Sequence, residues 1–299
     1  MKDIKNFDTF VKIEKISKGY SKDKKYYVQT NSGERLLLRL SDISNYAQKK
    51  SEYETMSHVA SFGIPMPKPV DFGICDNGNN VYQLLTWCNG KDAEAVLPMM
   101  SETEQYTLGV QAGQILQKIH TIPAPDTNGE WSIVFESKIN HRLREFEKCG
   151  ICFEELAKLV QYFKDNRSLI NNRQQSLIHN DYHNGNMMID NNKLIIIDFN
   201  DCDYGDPWEE FVQAVWQAQY YPCFSTGQVR GYFDGEPPEE FWQVLAYYTI
   251  SNYPTYISWA KIFGEDEVNK RIKQAQDFLN MCENMEPPVP NWYYNEWSC

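Results

Sequence analysis

Short apolar runs separated by polar turns occupy the first third of the chain, and helical periodicity takes over after residue 90. Val11–Ile16 is the first apolar segment, and a polar loop, Ser17–Lys24, follows it. Tyr26-Tyr27-Val28-Gln29-Thr30 and Arg35-Leu36-Leu37-Leu38-Arg39-Leu40 flank the turn residues Asn31-Ser32-Gly33-Glu34, a β-hairpin pattern. Residues 45–62 read as a helix, with Tyr53, Met56 and Val59–Ala60 at helical spacing. The prolines of Ile64–Pro69 end it, since each disfavours helix in the residue before it. Val70–Gly73 and Val81–Trp87 predict a further strand pair across Asp76-Asn77-Gly78-Asn79.

Beyond Asn89-Gly90 the pattern predicts a long helix over Glu102–His120, its apolar face made by Leu108, Ala112, Ile115, Leu116 and Ile119. Residues 122–128, with two prolines, break it, and 136–174 continue as helix with a break near Gly150. Leu177-Ile178 and Met187-Met188-Ile189 are short apolar segments, and Lys193–Phe199 is a buried strand that ends in a carboxylate. Pro207–Cys282 reads as helical with breaks at Phe233–Pro238 and Gly264, and the tail from Pro287 as irregular. The expected architecture is α+β and bilobal. A small, mainly β N-terminal lobe (1–88) joins a large helical C-terminal lobe (89–299) through a short connection near 86–90. A cleft between two lobes is a common ligand site.

Charge sharpens this picture. The 299 residues carry a net charge of −12, which excludes a general nucleic-acid binder. Residues 1–88 hold 13 Lys/Arg against 10 Asp/Glu, whereas residues 201–299 hold 5 against 16. A slightly basic front and a strongly acidic back suit an anionic ligand at one end and a cationic one at the other. No apolar run approaches the roughly 18 residues that span a bilayer, and Met1–Phe10 has no apolar signal core, so no membrane partner and a cytoplasmic location are expected. Eight cysteines in such a chain are then expected to stay reduced.

The densest polar cluster is His179-Asn180-Asp181-Tyr182-His183-Asn184-Gly185-Asn186, framed by apolar segments, and Asp198 follows Asn186 by twelve residues. Asp-x-x-x-x-Asn followed by strand-Asp-Phe is the layout of a kinase catalytic loop and metal-binding segment. The first Asp orients a substrate hydroxyl and takes its proton. The Asn and the second Asp offer hard oxygens to Mg²⁺. Two other readings are weaker. His179-x-Asp181-x-His183 as a metal-hydrolase ligand set is poorly supplied with further histidines, and Cys149-Gly150-Ile151-Cys152 lacks the second pair a zinc site wants.

These motifs resemble the aminoglycoside phosphotransferases and their small-molecule kinase relatives, over roughly residues 10–285. Ile178–Asn186 resembles their H-G-D-x-H-x-x-N loop, with Asn180 where Gly is usual. Ile197-Asp198-Phe199 resembles their I-D-F segment, and Gly205–Phe211 their G-D-P-x-x-D-L, with Glu210 for Asp. The resemblance implies a protein-kinase-like fold. It also implies that Asp181 is the catalytic base, that Asn186 and Asp198 are the Mg²⁺ ligands, and that His179 braces the loop. In the front lobe Arg39 fits the strand cation that anchors phosphate, with Glu52 as its helix partner and Glu54 as the weaker alternative. Ser17–Lys24 resembles the phosphate-covering loop, with Ser21 in it, and Leu85-Thr86-Trp87-Cys88 the connection that bonds the purine through its backbone.

The implied activity is a Mg²⁺-dependent transfer from ATP or GTP to a hydroxyl of a small molecule. Glu210 follows Asp198 by twelve residues, which leaves no room for a peptide-docking loop. The acidic back favours a cationic acceptor, an aminoglycoside antibiotic, with Asp203, Glu239, Glu240, Glu265 and Glu267 among the candidates to hold its ammonium groups. The alternatives are a choline, homoserine or methylthioribose kinase, a macrolide kinase, and last a non-catalytic nucleotide-binding protein.

Overall fold

The computed structural model describes residues 1–17, 23–283 and 289–294, and of 280–283 the backbone only. In chain order the elements are β1 (Phe10–Ile16), β2 (Lys24–Thr30), β3 (Arg35–Asp42), α1 (Tyr46–Ser61), β4 (Pro69–Cys75), β5 (Asn80–Thr86), β6 (Lys91–Asp92) and α2 (Ala93–Val96). There follow α3 (Glu102–Ile119), α4 (Trp131–Lys148), α5 (Leu156–Asn166), β7 (Ser176–Ile178), β8 (Met187–Asp190), β9 (Lys193–Ile196) and β10 (Asp203–Gly205). Four helices end the chain: α6 (Val212–Gln217), α7 (Pro222–Phe233), α8 (Glu239–Ala260) and α9 (Glu265–Glu283). The expected hairpin, strand pair and helices are all present. The short β6, α2 and β10 were not expected, because two to four residues show no periodicity. No helix among the described residues is long and apolar enough to cross a membrane.

The chain forms two compact units, and neither is contiguous. One comprises Met1–Met100 with His179–Cys202, the other Ser101–Ile178 with the chain from Asp203 onward. A boundary at 88/89 describes chain order, whereas packing puts the polar loop and the Asp198 segment with the front strands.

The first unit is built on a five-stranded antiparallel sheet of order β1-β2-β3-β5-β4. Alternation along β3 sends Leu36, Leu38 and Leu40 to one face, where they join Ile4, Val28, Tyr82 and Leu84 in a core covered by Met1, Phe7 and Phe10. Leu37, Arg39 and Ser41 take the other face. Helix α1 buries Lys49, Glu52, Met56 and Val59, the stripe that the spacing of Glu52, Met56 and Val59 predicts. Gln83 of β5 donates to the Lys49 carbonyl at 3.0 Å, tying the helix to this face. A second antiparallel sheet, β6-β8-β9, carries the polar loop at its start, and the Ile196 N–H donates to the Pro65 carbonyl at 2.8 Å.

The second unit is helical. Ser101 and Glu104 form a capping box that starts α3. Helices α3 and α7 meet backbone to backbone. A Cβ on Gly109 would lie 2.1 Å from the Phe224 carbonyl oxygen, on Gly113 2.1 Å from that of Gln228, and on Gly231 2.2 Å from that of Val110. Gly150, at φ 66°, marks the expected break between α4 and α5. The G-D-P segment is a structural centre. Asp206, fully buried, accepts from Arg173 Nε at 2.6 Å, from the Tyr248 hydroxyl at 2.6 Å and from the Trp208 N–H at 2.9 Å. Tyr248 in turn accepts from Trp131 Nε1 at 2.7 Å. Glu210, also buried, meets His120 Nε2 at 3.2 Å.

Gly113→Ala is therefore expected to destabilise the protein although alanine favours helix. The gain in propensity is about 1 kcal/mol, and overpacking costs about 1–3 kcal/mol or more when the blocking atoms are backbone. Urea unfolding measures the difference. An unchanged midpoint would mean that α3 and α7 separate freely.

Candidate active site

All the groups with reactive chemistry that the sequence singles out in the loop, the Asp198 segment and the front strands lie in the first unit. His179 is fully buried, and its Nε2–H donates to the Ile197 carbonyl at 3.0 Å. Its ring meets Phe199 edge-on at 4.7 Å and Tyr182 at 5.7 Å. This is the bracing role expected of it. Asn180 sits at φ 70°, in the left-handed region. Asparagine is one of the few residues besides glycine that tolerates that region, which accounts for Asn where Gly is usual.

Both oxygens of the Asp181 carboxylate are held. Asn186 Nδ2 donates to Oδ2 at 2.7 Å and to the Asp181 carbonyl at 3.0 Å. His183 Nδ1 accepts the Gly185 N–H at 3.0 Å, so the ring proton sits on Nε2, which donates to Asp181 Oδ1 at 3.2 Å. Burial pushes the Asp181 carboxyl up, but His183 and Asn186 outweigh it and hold it below the usual carboxylate range. The group stays ionised and fixed in direction.

The β8–β9 pairing sets Met187 against Ile196, and the Ile197 N–H donates to the Asn186 carbonyl at 3.0 Å. Asn186 and Asp198 therefore flank the same end of one hairpin. Asp198 takes a left-handed φ of 66°, which stops the strand at Ile196 instead of Phe199 and turns the side chain out of the ladder. Asn200 Nδ2 donates to Asp198 Oδ1. Asn186 spends its amide donor on Asp181. Among the described residues its Oδ1 and Asp198 Oδ2 remain as hard oxygen donors without a protein partner, which suits a small divalent cation.

The pairing of Arg39, the cation expected to anchor phosphate, departs from expectation. Arg39 does not pair with Glu52. Its Nη2 donates to Asp23 Oδ2 and its Nη1 to Asn200 Oδ1, each at 2.8 Å. Glu52 instead holds Lys49 Nζ at 2.9 Å, and Lys49 reaches Asp23 at 3.1 Å. The correction has a plain cause. Asp23, just before β2, and Lys49, one turn before Glu52, stand between the two groups and make a buried chain Arg39–Asp23–Lys49–Glu52. Glu54 is exposed and among the described residues meets only Lys50, at 3.7 Å. Ser41 Oγ donates to Asp23 Oδ1 at 2.6 Å. Burial would raise the Asp23 carboxyl, but Ser41, Arg39 and Lys49 hold it below the usual range.

Thr86 ends β5, its Oγ1 accepting the Lys68 N–H at 2.8 Å. Cys88 follows in extended, half-buried chain, its thiol pushed up to about 11 by burial and by Asp190. Ser21 lies outside the described residues. The acidic candidates belong to the second unit and do not form one cluster. Asp203 is exposed, 3.9 Å from Lys138. Glu239 and Glu240 occupy the first turn of α8, and Glu265 and Glu267 the first turn of α9. The 22 residues of α8 separate the two pairs by ~33 Å, more than one small molecule spans. Sequence reasoning missed Asp23, Lys49, Asn200 and the His183–Asp181 bond. Only His183 had a local signal, its spacing of two from Asp181.

A family model described as the phosphotransferase enzyme family matches residues 12–242. No curated protein matches the chain. Among solved structures, a thermostable mutant of aminoglycoside phosphotransferase APH(4)-Ia, in a ternary complex with ADP and hygromycin B, superposes with TM-score 0.68. It is 16% identical and covers 92% of this chain and 95% of its own. The amicoumacin kinase hAmiN, in complex with AMP-PNP, Ca²⁺ and Ami, gives 0.62 at 15% identity and 88% coverage of both chains. A protein named as a fructosamine-3-kinase from Haemophilus somnus gives 0.66 at 15% identity, covering 90% and 92%.

The Asp23 chain generates a pH prediction. A depressed carboxyl contributes stability above its unfolded value, about 3.9, and loses it as pH falls through the folded value. Asp23→Asn is expected to cost about 3–5 kcal/mol at pH 7, as when one partner of a buried pair is removed. The gap between parent and variant should narrow below about pH 4. Denaturant titrations at pH 7, 4 and 3 check both, and a gap independent of pH would remove the carboxylate charge from the account.

Proposed function

The chain belongs to the phosphotransferase enzyme family, and we propose that it moves the terminal phosphoryl group of ATP or GTP to a hydroxyl of a small cationic acceptor, an aminoglycoside antibiotic. Its fold is that of the protein-kinase-like small-molecule kinases, and it is a kinase that uses a nucleotide. The observation that carries the reading is the doubly held Asp181 carboxylate, five residues from one free hard oxygen and seventeen from another.

In this reading the acceptor hydroxyl donates its hydrogen bond to Asp181. Its oxygen forms the new bond to phosphorus, the bond from phosphorus to the nucleoside diphosphate breaks, and the proton passes to Asp181. A low carboxyl pKa suits a loose transition state, which asks mainly for orientation of the hydroxyl and little for early proton removal. Asn186 Oδ1 and Asp198 would hold Mg²⁺, whose charge neutralises the phosphate oxygens when bound. Arg39 would meet the phosphates and the backbone of Thr86–Cys88 the purine. The six free cysteines among the described residues agree with a reducing, cytoplasmic setting.

The acceptor class rests on charge. Residues 201–299 hold 16 acidic and 5 basic side chains, and Glu239 and Glu240 are exposed with, among the described residues, only Arg173, 3.8 Å from Glu240, in partial answer. Glu209 drops out of such a role because Arg142, at 3.1 Å, engages it internally. A metabolite kinase is the second reading, favoured because the fructosamine-3-kinase-named neighbour superposes about as well as the aminoglycoside kinase. The intact Asp181, Asn186 and Asp198 set opposes a non-catalytic binding protein.

Asp181→Ala should lower kcat by roughly 10²–10⁴, the size of a general-base contribution, with nucleotide affinity unchanged. Near-parent turnover would remove Asp181 from the mechanism. Kanamycin- and gentamicin-type aminoglycosides, choline, homoserine and a macrolide, each with ATP and with GTP, test the acceptor. Acceptor KM should rise with salt, since exposed charges are screened beyond roughly 8–10 Å at 0.1–0.15 M. Glu239→Gln with Glu240→Gln should raise it too, with kcat little changed. Turnover confined to a neutral acceptor would sink the aminoglycoside reading and leave the kinase assignment standing.

A further inference from the structure

We infer that Lys25 is a second phosphate-binding residue of this enzyme, gripping the polyphosphate of the donor nucleotide beside Arg39. The inference rests on the kinase reading above and adds a residue to it. Lys25 of β2 is the register partner of Arg39 of β3. Directly paired residues of an antiparallel ladder project to the same face, so the ammonium shares the face that Arg39 and Ser41 occupy opposite the leucine core. Like charges directly opposite are unfavourable in a sheet. Here they face each other where both are largely withdrawn from water, Arg39 buried and Lys25 half-buried.

The two cations are not treated alike. Arg39 is bonded by Asp23 and Asn200, and Lys49 by Asp23 and Glu52. Lys25 has no hydrogen-bond or ion-pair partner among the described residues. Burial first, then the charge of Arg39, push its ammonium below the ordinary lysine value, while Asp198 and Asp23 pull the other way. Lys25 is therefore within electrostatic reach of the Asp198 carboxylate and of the strand cation together. A half-buried ammonium that has lost water and is bonded by no carboxylate is costly without an anion. A ligand carrying several negative charges on adjacent groups would answer Lys25 and Arg39 at once, and a nucleoside polyphosphate has that chemistry.

Calorimetric affinities of parent, Lys25→Met, Lys25→Arg and Lys15→Met for ATP, ADP and adenosine, with Mg²⁺ present, test this. A charge-assisted bond lost from the site should weaken ATP by about ten- to hundredfold in Lys25→Met. Adenosine should bind as to the parent. Lys25→Arg should restore ATP to within about threefold, and Lys15→Met, exposed on β1, should match the parent. Thermal stability of Lys25→Met should be equal or higher, since the replaced ammonium is half-buried and without a bonded partner in the free protein. Parent-like ATP affinity in Lys25→Met overturns the assignment. So does equal weakening of ATP and adenosine, or a loss of stability that accompanies the loss of binding. A parent that binds neither ATP nor GTP in the same titration overturns the nucleotide-donor reading and this residue with it.

Discussion

Asp23 accepts from the Ser41 hydroxyl, the Arg39 guanidinium and the Lys49 ammonium in one buried place. Each of those charges would be costly alone in that environment, and removing one partner of such a set leaves another uncompensated. The arrangement therefore fixes position more than it adds net stability. It joins the start of β2, the end of β3 and the first turns of α1. Glu52 closes the far end by holding Lys49, and Asn200 the near end by holding Arg39. Since Asn200 also donates to Asp198, a line of bonds runs from helix α1 to the Asp198 segment. The position of Asp198 relative to the strand cation depends on that line.

Backbone strain complements it. Asn180 and Asp198 both adopt left-handed φ, 70° and 66°, within one short stretch of chain. Such conformations cost of order 1–3 kcal/mol each for residues with a Cβ and persist where the surroundings over-determine them. Here the determinants are visible. His179 pins the Ile197 carbonyl next to Asp198, and Asn180 Nδ2 donates to the Asp201 carbonyl at 3.2 Å. The loop before β8 and the turn after β9 are thus stitched together at both strained residues, which keeps Asp181, Asn186 and Asp198 in one compact piece of chain.

Legibility followed chain distance. The hairpin of β2 and β3, helix α1 and the strand pair of β4 and β5 were readable because alternation, proline and glycine act over a few residues. The polar loop from His179 to Asn186 was readable because its residues are close in sequence and follow one compact pattern. The Arg39–Glu52 pairing was misread because the groups that intervene are 16 and 10 residues from Arg39 and sit in unremarkable polar stretches. A family pattern names two ends of an ion pair and is silent on insertions between them. Asn200 was missed because its position is variable in that pattern. The repeated Gly-x-x-x-Gly of Gly109–Gly113 and Gly227–Gly231 was present in the sequence, yet only the structure shows the two helices in backbone contact. The acidic candidates failed as a cluster for a similar reason: composition counts charge per segment, while α8 places its two ends ~33 Å apart.

The choice of arginine at position 39 follows from this geometry. Its planar fork points one nitrogen at Asp23 and the other at Asn200, two acceptors on separate segments, and both bonds are 2.8 Å. A lysine offers one nitrogen at the end of a flexible stem and would have to choose or share. The third donor, Arg39 Nε, is buried and without a protein partner, although nearly every buried donor in a folded protein finds one. An anion approaching that face would meet a donor already oriented and already desolvated, held by the same carboxylate that fixes helix α1. Arginine thus does in one residue what a lysine–glutamate pair does in two: Asp23 and Asn200 set its direction, and Glu52 is released to position Lys49.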